Sequence, residues 1–74
     1  MSKLPQVSGV EVAKVLRQVG YEHDHTRGSH MVMREIAAPH RRVTVPQHNP
    51  VAKGTLRAII RAIGLTVDEF VERL

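Results

Sequence analysis

Apolar residues recur at helical spacing in the first third of the chain. Ser8 and Glu11 fit a capping box, in which the serine oxygen accepts from the Glu11 amide and the glutamate reaches back to Ser8. Gly20 supplies a left-handed stop. This pattern predicts a helix over residues 9–19. Its apolar stripe consists of Val12, Ala13, Leu16 and Val19.

The middle of the chain alternates between side chains of different character, which is typical of strands. The alternation predicts strands over residues 21–26, 30–36 and 42–45, joined by turns at 27–29 and 37–41. Because the connections are short, we expect an antiparallel meander. In the first strand, this alternation places three side chains on the same face: Tyr21, His23 and His25.

The last third returns to helical spacing. Residues 47–54 are predicted to form a loop, and Thr55 to cap a second helix that ends at Gly64. A further capping box at Thr66 and Glu69 starts a short extra helix. The order α-β-β-β-α with this extra helix predicts an α+β fold, in which the helices cover one face of a three-stranded antiparallel sheet. The stripe of the second helix consists of Leu56, Ile59, Ile60 and Ile63.

Length and composition narrow the class of protein. We expect residues 1–74 to form one small domain. The chain has no cysteine, which excludes a disulfide framework and a cysteine-based zinc site. No apolar run approaches the ~20 residues of a membrane span, and the N-terminus lacks the apolar core of a signal peptide. We therefore expect a soluble, cytoplasmic protein.

The charge balance indicates an acidic partner. Eleven Lys and Arg residues stand against seven Asp and Glu residues, a net charge of +4 with neutral histidines. A small basic chain favours nucleic acid as that partner. Tyr21 and Phe70 are its only aromatic residues, too few for stacking single-stranded bases. We therefore expect recognition through phosphates and shape.

Candidate chemistry centres on the turn and strand start Arg27-Gly28-Ser29-His30. Gly28 can adopt a positive φ without steric cost, and Ser29 can hydrogen-bond the local backbone. A histidine can act as a general base at neutral pH, and an adjacent arginine can offset negative charge on a phosphate. Spacing alone, however, favours a plain solvent-facing histidine at position 30.

The other histidines give weaker indications of a functional role. His23 and His25 are compatible with a metal, but zinc needs three or four ligands and no third has the right spacing. We interpret both as polar strand residues, and expect no metal site and no cofactor. His40 and His48 lie in predicted loops, and His48 could approach His30 from the end of the third strand. The sequence leaves open which group supplies a second proton.

Several short motifs follow one another in a specific order between about Ser8 and Leu65. They are Ser8-Gly9, Gly20-Tyr21, Arg27-Gly28-Ser29-His30, Arg42-Val43-Thr44-Val45-Pro46, His48 and Lys53-Gly54-Thr55-Leu56-Arg57-Ala58-Ile59. In this order they resemble HicA-type toxins, the small ribonucleases of HicA/HicB toxin–antitoxin pairs. The chain departs from the family pattern at Met33, where an aromatic is common, and at Ala52-Lys53, where a proline is common. Met31 and Met33 are most simply core residues.

The resemblance implies a fold similar to a double-stranded-RNA-binding domain, with His30 as the catalytic histidine of an mRNA endoribonuclease. It also implies a HicB-like antitoxin that covers the site. In such a fold the start of the second major helix is a natural phosphate contact. The RNA-binding candidates are then Arg27, Gly28, Ser29, Lys53 and Arg57, although a solvated face would also explain the last two. The alternative function is a non-catalytic RNA-binding module of the same fold.

Overall fold

The structure is a computed structural model, and it describes residues 3–74. Helices flank a sheet in the predicted order α-β-β-β-α-α, and most boundaries lie within one residue of the predicted ones. The elements are α1 Gly9–Gln18, β1 Tyr21–Arg27, β2 His30–Glu35, β3 Arg42–Pro46, α2 Lys53–Ala62 and α3 Val67–Glu72. This arrangement confirms the α+β fold, which is consistent with that of a double-stranded-RNA-binding domain.

The three strands form one antiparallel sheet in the order β1-β2-β3. Met31 pairs with Val45, and Met33 pairs with Val43, so these four side chains share one face. All four are buried, which confirms that the two methionines belong to the core. The opposite face carries mainly polar and charged side chains, together with Val32 and Pro46, and no helix covers it; we call it the open face.

A β-bulge at Asp24 interrupts the alternation in β1. His23 pairs with Met33, whereas His25 pairs with Val32, the preceding residue of β2. Because consecutive residues of β2 point to opposite faces, His23 lies on the helix-covered face and His25 on the open face. The prediction that these two histidines share a face is therefore wrong.

Two of the three helices within residues 3–74 begin with a cap that the sequence predicts. Ser8 and Glu11 form the predicted capping box of α1, and Thr66 and Glu69 form that of α3. The cap predicted at Thr55 is wrong, because the Leu56 amide already donates to the Ala52 carbonyl at 2.9 Å. The second helix therefore starts earlier than predicted, at Lys53, without a side-chain cap.

Apolar faces of all three helices close the core over the covered side of the sheet. Phe70 of α3 and Leu16 of α1 are fully buried, as is Leu56 of α2. Within residues 3–74, the core contains no buried polar or charged side chain. No helix in this part of the chain is long and apolar enough to cross a membrane.

Candidate functional site

The turn between β1 and β2 has the positive φ that its sequence predicts at Gly28, but within residues 3–74 the Ser29 hydroxyl does not form the predicted hydrogen bond to the local backbone. Gly28 has φ +59°, in the left-handed region that glycine adopts without strain. Arg27 and His30 face each other as the last cross-strand pair before the turn. The Gln47 amide donates to the Ser29 carbonyl at an N···O distance of 2.6 Å, so the segment after β3 holds the turn in place.

The same segment is attached to the start of α1. The Gly9 amide donates to the His48 carbonyl at 2.9 Å. A Cβ on Gly9 would overlap the Pro46 carbonyl oxygen and come within 3.1 Å of the Gln47 Cα, so only glycine fits. The turn, the end of β3 and the first turn of α1 therefore form one connected edge of the molecule.

His30 is the first residue of β2, directly across from Pro46 of β3. Its side chain is exposed on the open face, with Arg27 beside it on β1. Among residues 3–74, neither side chain forms a hydrogen bond or an ion pair. The His30 ring and the Arg27 guanidinium are therefore both accessible to an incoming anion.

Other charges of the open face already have partners. The Asp24 carboxylate lies 3.1 Å from Nδ1 of His25 and 3.5 Å from Nε of Arg42. These two contacts, that with His25 foremost, hold the pKa of Asp24 below its ordinary value. Arg34 lies 3.8 Å from Glu22 on the neighbouring strand. Arg27 differs from these arginines because no carboxylate in the described part of the chain neutralises it.

The two cations predicted as further phosphate contacts lie on the second helix. Lys53 is the first residue of α2 and is exposed, and the first turn of that helix carries no acidic residue. Arg57 lines a groove between α2 and α3 together with Arg61 and Leu65. The hydrogen bonds and ion pairs of residues 3–74 join neither Lys53 nor Arg57 to the turn.

The remaining histidines separate into distinct environments. His23 Nε2 lies 2.7 Å from the Thr26 hydroxyl, on the covered side of the edge strand. His40, with φ +59°, contacts the Glu35 carbonyl through Nδ1 at the far end of the sheet from His30. Within the described residues, no three His, Cys, Asp or Glu side chains are grouped so that they could hold a metal ion.

Two features of this site escape the sequence reasoning. One is the Asp24 bulge, whose only indication is an acidic residue inside a strand without branched aliphatic residues. The other is the close packing of Gly9 against the segment after β3. The sequence indicates this close packing only by a glycine directly after a helix cap.

Comparison with known families decides the identity of the chain. A family model described as "HicA toxin of bacterial toxin-antitoxin" matches residues 9–65, well over half of the chain. The chain belongs to the HicA toxin family. As a HicA toxin it is the toxin of a toxin–antitoxin system, which implies an antitoxin partner. A search of curated proteins found no significant match. The HicA match spans the whole sheet and α2, and ends before α3.

Proposed function

We propose that this toxin is a cytoplasmic, metal-independent endoribonuclease that cleaves mRNA through His30 and is inhibited by a HicB-like antitoxin. The observation that carries the proposal is the position of His30. Its ring is exposed at a turn held by the Gln47–Ser29 hydrogen bond, next to the unpaired Arg27. The connected edge, with one imidazole and one unpaired guanidinium, is suited to binding a phosphodiester.

The chemistry needs only groups that the chain and the RNA supply. The neutral His30 imidazole takes the proton of a 2′-hydroxyl, and the 2′-oxygen attacks the adjacent phosphorus. Negative charge then builds up on the phosphate oxygens, where Arg27 stabilises it. A positioned imidazole typically accelerates such a step by about 10²–10⁴-fold.

The residues around His30 support binding of the sugar–phosphate backbone. Gly28 has no side chain, so a phosphate can approach the turn closely. The Ser29 hydroxyl and the Arg27 guanidinium can donate hydrogen bonds to its oxygens. Lys53 and Arg57 supply two more positive charges on α2, where Lys53 adds its charge to the free amides of the first turn.

One observation favours the alternative, a non-catalytic RNA-binding module. No group among residues 3–74 hydrogen-bonds the His30 ring and orients it, as a partner does in many sites with a general base. In a non-catalytic RNA-binding module, His30 would only contact phosphate. The two functions share a fold and differ in whether RNA is cleaved.

The deciding experiment replaces His30 with alanine in the purified toxin. We expect loss of RNA cleavage and of growth arrest on induction, with an unchanged circular dichroism spectrum because the side chain is exposed. His40→Asn is the matched control, since asparagine tolerates the positive φ and position 40 lies at the far end of the sheet. Equal cleavage by wild type and the His30 variant would contradict the proposal. Cleavage should also persist in EDTA. Loss of cleavage in EDTA that only added metal restores would contradict metal independence.

A further inference from the structure

We propose that His25, oriented by Asp24, is the second proton-transfer group of this toxin and acts as the general acid opposite His30. The inference rests on the proposed ribonuclease function. It starts from the bulge at Asp24, which places His25 on the open face. With regular alternation from the buried Tyr21, His25 would instead point to the helix-covered face.

The sheet register places His25 close to His30. His30 pairs with Arg27, and His25 lies two residues before Arg27 on the same strand and the same face. Diagonal neighbours of this kind in an antiparallel pair are about 7–8 Å apart. Two imidazole rings at that separation can contact opposite sides of one phosphodiester, beside the Arg27 guanidinium.

The hydrogen bond to Asp24 fixes which ring nitrogen of His25 is free. Contacts with His25 and Arg42 lower the pKa of Asp24, so its carboxylate is ionised near neutral pH and can only accept hydrogen bonds. Nδ1 of His25, 3.1 Å from that carboxylate, must therefore carry a proton. Nε2 is left for the substrate, where a protonated ring can donate. Arg42 in turn holds Asp24 from the other edge of the sheet, at 3.5 Å.

The reaction balances with these two histidines. His30 removes the 2′-hydroxyl proton while the 2′-oxygen forms a bond to phosphorus. The bond between phosphorus and the 5′-oxygen breaks, and that oxygen takes the proton from Nε2 of His25. The products are a 2′,3′-cyclic phosphate and a 5′-hydroxyl, with one proton gained by His30 and one given up by His25. Asp24 is a positioning residue, because it acts on the reaction only through His25.

The competing candidate is His48, whose backbone is attached to Gly9 at the same edge. Its imidazole, unlike that of His25, has no hydrogen-bond partner within residues 3–74 that orients it. Arg27 cannot serve, because a guanidinium does not release its proton in proteins. His25 is thus the oriented group with a free nitrogen on the face of His30.

The test uses a leaving group that needs no acid. A cleavage site is first mapped in a reporter RNA with wild-type toxin. Two oligonucleotides of that sequence are then made, one with the ordinary bridging 5′-oxygen at the cleaved bond and one with sulfur in place of that oxygen. Sulfur leaves as a thiolate without protonation, so removal of the acid is harmless for that substrate. We expect His25→Gln to slow cleavage of the oxygen-linked RNA by about 10²–10³-fold, and of the sulfur-linked RNA by less than about 5-fold.

Matched variants separate this role from others. His23→Gln removes the same side chain on the other face of the same strand and should leave both rates unchanged. Asp24→Ala should reproduce the His25 pattern with a smaller effect. His30→Ala should slow both substrates, and failure there would contradict the proposed function itself. Equal slowing of both substrates by His25→Gln, no slowing of either, or a sulfur-rescued defect for His48→Gln instead would overturn the assignment of His25.

Discussion

At the scale of single residues, two glycines with different surroundings allow a direct test of the connected edge. Alanine at Gly9 would overlap the Pro46 carbonyl oxygen, which is backbone and cannot rotate away. We expect Gly9→Ala to destabilise the protein by about 1–3 kcal/mol, as overpacked sites do, and to displace the segment that supports the turn. Urea unfolding of the purified variant measures the change in stability.

Gly54 is the matched control for this substitution. It lies in the first turn of α2, and an added Cβ would have no heavy atom within 4 Å. Gly54→Ala should therefore leave stability unchanged or raise it by up to about 1 kcal/mol, through a less flexible unfolded chain. Equal stability of the two variants would show that Gly9 does not pack as closely as described.

The residue scale is also where sequence reasoning succeeds and fails most clearly. The turn at Gly28 is predictable because glycine is favoured wherever a chain takes a positive φ. The face of His25 is not, because the first strand alternates regularly and only its pairing with β2 shows the extra residue at Asp24. Register depends on a partner strand that a local pattern does not contain.

At the scale of elements, the two capping boxes predict acid sensitivity. Hydrogen bonds from Ser8 lower the pKa of Glu11, and those from Thr66 lower the pKa of Glu69. A lowered pKa in the folded state means that each carboxylate stabilises the fold above its unfolded pKa. This contribution disappears as the pH falls through the lower folded value. Urea unfolding between about pH 3 and pH 7 should therefore show a decline in stability on the acidic side.

Glutamine can keep the capping geometry without the titration, since it also suits the third position of a capping box. The double variant Glu11→Gln, Glu69→Gln should accordingly flatten the acidic decline. Glu72→Gln is the control, at a carboxylate without a hydrogen bond or ion pair within residues 3–74. An unchanged acidic decline in the double variant would assign the acid sensitivity to other carboxylates.

The start of α2 shows the limits of prediction at the same scale. Thr55 suits a cap, and the segment before it has the composition of a loop, so the sequence pattern puts the helix start too late. The backbone hydrogen bond from Leu56 to Ala52 decides the start instead. This brings Lys53 into the first turn, where the positive end of the helix dipole and the lysine charge act together.

If Lys53 and Arg57 contact phosphates, alanine at either position should weaken binding of unrelated RNA sequences by similar factors. The slope of log affinity against log salt should become shallower by roughly 0.7–0.9 for each phosphate that the variant no longer neutralises. Binding is measured on a His30→Ala background, so that the RNA stays intact. Arg41→Ala is the control, because Arg41 lies at the far end of the sheet, 3.9 Å from Glu35. An unchanged slope for the Lys53 variant would assign that lysine to a solvated face.

At the scale of the whole molecule, composition and motif order give the class of protein more firmly than any single element does. The net charge of +4 predicts an acidic partner without identifying it. The order of the motifs gives the family, and the family model confirms it over residues 9–65. Neither states which surface an antitoxin would cover, because that depends on residues brought together only by the fold.

We expect the antitoxin to be an acidic, HicB-like protein that covers His30 and the surface around Arg27 and Lys53. These side chains are exposed and none has a partner within residues 3–74, so an acidic surface can pair with them without a change of fold. Because opposite charge mainly speeds association, added salt should slow the on-rate more than it raises the off-rate. Surface plasmon resonance at several salt concentrations separates the two rates.

Hydrogen exchange on the same complex locates the covered surface. If the antitoxin masks the site, amides from Gly28 to Met33 and around Lys53 should exchange more slowly in the complex than in the free toxin. The amides of α3, which lie outside the family match, serve as the internal reference and should change little. Protection confined to α3, with Gly28 to Met33 exchanging as in the free protein, would mean that inhibition acts at a distance. RNA would then still reach His30 in the complex, and direct masking would be wrong.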